Sequence, residues 1–172
     1  MNKFNQDYYK IWKSDFYTIE ANIDKSLWEN KLIKSFEKRL NKIILVIFEN
    51  SKNTLLVNNI LISLLFTGDK KVAELNNYYR KIHKSTNVLS FPSKEINNSS
   101  EMFLGDIVFS SQTIIEEAKR DNKNKEDHLI HLFIHGVLHL LGYDHEKEHD
   151  AHIMESLEIK ILKNLKIDNP YN

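Results

Sequence analysis

The segment ILISLLF, residues 60–66, constrains the fold of this chain more than any other stretch. Extended, it turns Ile60, Ile62, Leu64 and Phe66 one way and Leu61 and Leu65 the other, and Gly68-Asp69 stops it. A strand apolar on both faces needs helices packed on each side. The sequence ahead supplies one of them. Trp28, Leu32, Phe36, Leu40, Ile43 and Ile47 recur at three- and four-residue steps, the spacing of a long amphipathic helix. SLWE (26–29) matches a capping box, with Ser26 as N-cap and Glu29 reaching back. Before it, SDFYTIEANI (14–23) reads as a first strand.

After the central strand, a short helix over residues 70–80 carries Val72, Leu75 and Tyr79 as its apolar positions. TNVLSFP (86–92) reads as a strand ended by Pro92, SKEINNSSE (93–101) as a polar, mobile loop, and LGDIVFS (104–110) as another strand. Residues 111–121, 125–141 and 146–165 carry helical patterns. The order β-α-β-α-β-β-α-α-α predicts a single α/β (α+β) domain over residues 1–172, a mixed sheet packed with helices. A chain of 172 residues suits one sizeable core.

Charge narrows the function. Lys plus Arg equals Asp plus Glu, 24 each, so the chain is no bulk polyanion binder, and contact with nucleic acid requires a local basic patch. Residues 69–94 offer one: Lys70, Lys71, Arg80, Lys81, Lys84 and Lys94 stand against Asp69 and Glu74, net +4. Residues 121–172 hold six bases and ten acids, net −4. A solvated helix face is the plainer explanation of such a run. The chain has no cysteine, which excludes disulfides and thiolate metal sites. Its longest apolar runs, IILVIF (43–48) and ILISLLF, are too short to span a bilayer, and its first fifteen residues hold no signal-like stretch. A cytoplasmic location without membrane contact is expected.

The chemistry concentrates in HGVLHLLGYDH, residues 135–145. Histidines four apart on a helix lie about one turn, roughly 6 Å, from each other. His135 and His139 therefore point the same way, Gly142 ends the helix, and Tyr143-Asp144 bring His145 back. Three imidazoles with a vacant fourth position are the arrangement of a catalytic zinc, although nickel, copper and iron accept imidazole as well. Spacing alone leaves rivals, because His131–His135 and His145–His149 are also four apart, and His128 falls on nearly the same face. Gly142 favours the 135/139/145 set, which alone uses both a helix and a returning turn. That spacing gives a metzincin-like metal helix, but position 136 is Gly where those metalloproteases carry the glutamate base. Peptide hydrolysis thus lacks its base at the expected place. Asp144 either orients a ligand histidine or caps the turn.

HGVLHLLGYDH closely resembles the H-G-x-L-H-L-x-G-Y-D-H signature of the bacterial YbeY rRNA maturation factors. LNNYYRKIHKSTNVLSFP (75–92) resembles the family's block of an arginine ahead of a T-[ND]-V-L-S-F-P strand, and LGDIVFS its L-G-D-I strand. The resemblance covers residues 58–170, including the closing NPY, and the first 57 residues match only in element order. It implies a metal-dependent endoribonuclease specific for single-stranded RNA. Its expected partners are the small-subunit ribosomal RNA, processed at the 3′ end, and the ribosome under quality control. It implies one Zn2+ per chain on His135, His139 and His145, with Arg80 as the essential basic residue.

The physics is compatible. Phosphodiester cleavage builds negative charge on phosphoryl oxygens, which a metal polarises and a guanidinium holds through two parallel hydrogen bonds. Thr86–Phe91 is expected to form a cleft edge and position Arg80. Tyr78 and Tyr79 are candidates for base stacking, with core packing the stronger expectation for Tyr79. Two alternatives stand beside the nuclease: a zinc metalloprotease-like hydrolase with a remote base, and a non-catalytic ribosome-assembly factor with a structural metal.

Overall fold

The computed structural model describes residues 7–51, 59–94 and 101–171. Five strands form one mixed sheet: β1 (Asp7–Lys13), β2 (Tyr17–Asp24), β3 (Asn59–Thr67), β4 (Val88–Pro92) and β5 (Glu101–Ser110), in the order β1-β2-β3-β5-β4. β3 lies at the centre, parallel to β2 and to β5, and the edge strands β1 and β4 pair antiparallel to their neighbours. Five helices complete the domain: α1 (Asn30–Asn50), α2 (Asp69–Arg80), α3 (Ser111–Arg120), α4 (Lys125–Leu140) and α5 (Glu148–Asn164). The single mixed α/β domain expected from the sequence is the one observed.

The main core lies on one face of the sheet. Ile60, Ile62, Leu64 and Phe66 of β3 point into it, as does the apolar stripe of α1. An aromatic cluster joins the layers. Phe36 of α1 makes edge contacts with Trp12 of β1, Phe66 of β3 and Phe133 of α4, and Phe66 stacks on Phe109 of β5 at 5.1 Å. The opposite face has a smaller core of Val72 from α2, Leu89 from β4 and Val108 from β5, with Leu65, Leu75 and Phe91 around it.

Several expectations need correction. β3 is not covered equally on both faces, since Leu61 and Leu65 are only half-buried. β1 is a strand that the sequence pattern hides: Tyr9 and Ile11 face solvent, Tyr8 packs only partly against the core and Trp12 alone is fully buried, so apolar residues fall on both faces. Ser26 does not cap α1. The Asp24 carboxylate accepts from the Ser26 amide and hydroxyl at 2.8 and 2.6 Å, and the helix begins at Asn30. Glu29 is instead paired with Lys125 at 2.6 Å. β5 starts at Glu101 because it pairs with β3 from Asn59 onward. Most of the expected loop at 93–101 lies outside the described residues. Tyr79 is 60% exposed and does not pack in the core.

Gly105 shows why β5 needs glycine. It sits at an irregularity in the β3–β5 register with φ +139°, and a Cβ there would come within 2.2 Å of the Phe91 carbonyl oxygen on β4. No helix among the described residues is long and apolar enough to cross a membrane.

Candidate active site

Helix α4 carries the histidines because both its ends are fixed. Asn124 caps the start, its side-chain oxygen accepting from the Glu126 and Asp127 amides at 2.8 and 3.3 Å. At the other end the Gly142 amide bonds to the His139 carbonyl and the Tyr143 amide to the Leu138 carbonyl, both at 3.0 Å, with Gly142 at φ +91°. This paired return is a Schellman turn, and it needs a residue that tolerates positive φ. It swings residues 143–145 back along the helix. Asp144 caps that turn, accepting from the His145 amide at 2.7 Å.

The result brings His135, His139 and His145 together. One nitrogen from each lies within 4.8 Å of the others, and the ring centroids are 4.6 to 5.2 Å apart. Two rings are aimed by bonds at their far side. His135 Nδ1 meets Glu158 Oε1 at 2.8 Å, and His139 Nδ1 donates to the Tyr143 carbonyl at 3.0 Å. Both Nε2 atoms therefore face each other, 3.1 Å apart. Two nitrogens on a tetrahedral zinc stand about 3.4 Å apart, given Zn–N bonds near 2.1 Å, so the pair fits one ion closely. Burial, then the neighbouring His135 and His145, hold the His139 imidazole down to about 4, so it is neutral near pH 7 with a free lone pair. His149 and His152 are exposed on α5 and stand outside this group.

Behind the triad lies a buried carboxylate that the sequence reading did not single out. Glu158 of α5 has no exposed surface. Its Oε1 accepts from His135, and its Oε2 meets His131 Nε2 at 2.9 Å and the Tyr171 hydroxyl. Burial alone raises a carboxyl pKa, but the hydrogen bonds from His131 and His135 outweigh it and bring Glu158 to about 2. The Tyr171 hydroxyl is pushed up, by burial first and then by Glu158. The signal was present in the sequence: Met154, Glu158, Ile161, Leu162 and Leu165 fall on one helical face, and all are buried. A carboxylate in an apolar stripe needs partners inside the protein.

Gly136 sits where α4 approaches the sheet. A Cβ there would meet Ile107 Cδ1 at 2.9 Å and Ser90 Oγ at 3.2 Å. The helix lies too close to β4 and β5 for a glutamate at this position, so the missing base reflects packing.

Arg80, the last residue of α2, opens onto the same space. A cleft of about 650 Å³ is lined by Arg80, by Thr86–Ser90 and Pro92, by all three histidines, and by residues 142–146. Residues on both faces of β4 contribute, so the cleft runs along the free edge of the sheet, as expected for Thr86–Ser90, whereas Phe91 does not line it and packs against the smaller core. The loop from Arg80 to β4 is tied at three points. Asn76 Nδ2 donates to the Lys84 carbonyl at 2.7 Å, Ser85 to Asp69 at 2.9 Å, and Asn87 to Glu117 at 2.9 Å. Ser110 and Thr113 also donate to Asp69, and these hydroxyls hold its pKa below the usual value despite partial burial. Glu117 in turn meets the buried His128 Nε2 at 2.9 Å. Asn87 thus anchors the cleft wall to α3 and α4.

Comparison with known proteins follows the same residues. The protein family described as Endoribonuclease YbeY matches residues 22–166, which begins well before residue 58. A protein named Endoribonuclease YbeY from Bartonella quintana is 41% identical over 158 residues, 90% of this chain and 96% of that one. Its namesake from Bartonella henselae is 41% identical over 160 residues, with the same coverage. A solution structure of a Thermotoga maritima protein, 22% identical, covers 83% of this chain and 92% of that one with a TM-score of 0.44.

Proposed function

The chain belongs to the Endoribonuclease YbeY family, and on that premise we propose that it is a zinc-dependent, single-strand-specific endoribonuclease built as one domain over residues 1–172. Its substrate is ribosomal RNA of the small subunit, cut in 3′-end maturation and in ribosome quality control in the cytoplasm. The observation that carries this reading is one cleft lined both by the three clustered histidines and by Arg80.

His135, His139 and His145 would hold one zinc ion. Bound there, zinc supplies a Lewis acid for a phosphoryl oxygen and lowers the pKa of a coordinated water. Glu158 fixes the tautomer of His135 so that Nε2 carries the lone pair, and the Tyr143 carbonyl does the same for His139. Arg80 is the catalytic cation. Its planar guanidinium can grip two phosphoryl oxygens as their charge grows. Its guanidinium has no ion-pair partner among the described residues, so it is available to substrate.

The test pairs elemental analysis of the purified full chain with cleavage of single- and double-stranded RNA. One zinc per chain and cleavage of the single strand alone are expected. Arg80→Ala should retain metal and fold and lose cleavage; cutting at the wild-type rate would remove Arg80 from the chemistry.

A further inference from the structure

Tyr78 and Tyr79, in the last turn of α2 just ahead of Arg80, are 71% and 60% exposed. Two neighbouring tyrosines on a surface are an unusual place for so much apolar area unless something covers it. Their rings are not independent. Tyr78 meets Tyr79 edge-on at 4.8 Å, and Tyr79 meets Phe91 of β4 at 4.8 Å with the planes tilted by 51°. The aromatic row therefore runs from the end of α2 to the edge strand, whose Ser90 and Pro92 line the cleft.

The row is held in place. Lys81 follows Arg80 in the left-handed conformation, φ 60°, and closes the helix with bonds to the Asn76 and Asn77 carbonyls. The buried Asn76 side chain then pins the next segment through Lys84. A cation stands beside them: the Lys81 ammonium is 5.9 Å from the Tyr78 ring, and Lys84, three residues on, is exposed. Flat, exposed rings beside cations are how proteins hold an unpaired nucleobase next to its phosphate.

We propose that Tyr79, flanked by Tyr78 and Phe91, is a stacking platform for an unpaired ribonucleobase of the strand whose phosphate Arg80 holds. The proposal rests on the endoribonuclease reading and adds a subsite to it. It also gives a physical source for single-strand selectivity. A base already paired and stacked in a duplex has no free face to offer.

The test measures binding of the full, metal-loaded chain to two uncleavable 2′-O-methyl single strands of equal length and charge. One carries its bases and the other is abasic. Wild type should favour the base-bearing strand. Tyr79→Ala should weaken that strand about tenfold, within the range of one lost stacking contact, and leave the abasic strand within about twofold. Tyr79→Phe and Tyr79→Trp should restore it, which a polar role of the hydroxyl would not allow. Equal binding of both strands by wild type overturns the platform, as does wild-type affinity in Tyr79→Ala and in the Tyr78→Ala/Tyr79→Ala pair. So does an equal loss on both strands. If wild type neither binds nor cuts single-stranded RNA, the endoribonuclease reading itself falls.

Discussion

Replacing Glu158 by Gln removes one charge from the protein interior and changes almost nothing in volume. The structure fixes what is lost. Oε1 receives His135, and Oε2 receives both His131 and Tyr171, so the carboxylate accepts three hydrogen bonds. A glutamine keeps one carbonyl oxygen. If that oxygen serves His135, the amide nitrogen faces two groups that formerly donated. Tyr171 can rotate its hydroxyl, but His131 must move its proton to Nδ1, which is buried and has no hydrogen-bond partner among the described residues. Even where the amide oxygen still meets His135, the charge that makes this imidazole a better donor to the metal is gone, and changing such an outer partner typically weakens metal binding by about 10- to 100-fold. An unsatisfied buried polar group costs about 1–3 kcal/mol. At about 2–4 °C per kcal/mol for a domain of this size, melting of the metal-free chain should fall by roughly 2–12 °C. The assay is competitive zinc titration against a chromophoric chelator, with thermal melts of the same samples. A zinc Kd within about twofold of wild type, in a variant that folds, would refute the claim that the Glu158 charge strengthens His135 as a metal ligand.

His139→Ala should lose metal and RNA cleavage together, read by elemental analysis and a gel assay; full metal content in this variant would break the ligand assignment. Gly136→Glu should destabilise the fold by about 2 kcal/mol or more, because the side chain enters the contact with Ile107 and Ser90. It should gain no casein digestion, and melting within about 2 °C of wild type would contradict the packing argument. Burial, against the pull of Glu117, holds the folded pKa of His128 below its ordinary 6.5, so the folded state keeps it neutral where the unfolded chain protonates it. Its contribution is therefore complete above pH 6.5 and declines as pH falls below that. His128→Gln should flatten the acid side of the stability–pH curve measured by urea unfolding, and an unchanged slope would refute this.

The sequence exposed whatever is written in local period. The α1 stripe, the β3 run and the 135/139/145 spacing each depend on neighbours a few residues apart, and each is realised in the fold. It concealed what depends on tertiary placement. β1 shows no apolar alternation because this edge strand buries only Trp12 fully and Tyr8 in part, and leaves Tyr9 and Ile11 in solvent. Ser26 fits a capping pattern, but Asp24 holds its hydroxyl and amide in a turn instead. Glu158 and Tyr171 stand 23 and 36 positions beyond His135, and only the packing of α5 on α4 brings them to it. The absence of glutamate at 136 was visible in the sequence, whereas its cause, the approach of Ile107 and Ser90, was not.

Coordination of the metal by His135, His139 and His145 is open to direct measurement. X-ray absorption at the zinc edge, on the full chain loaded with one equivalent, counts the scatterers and identifies imidazole rings by their outer-shell signal. Three imidazole nitrogens and at least one oxygen from solvent are predicted. A fourth protein ligand closing the site, or fewer than three imidazoles, would contradict it.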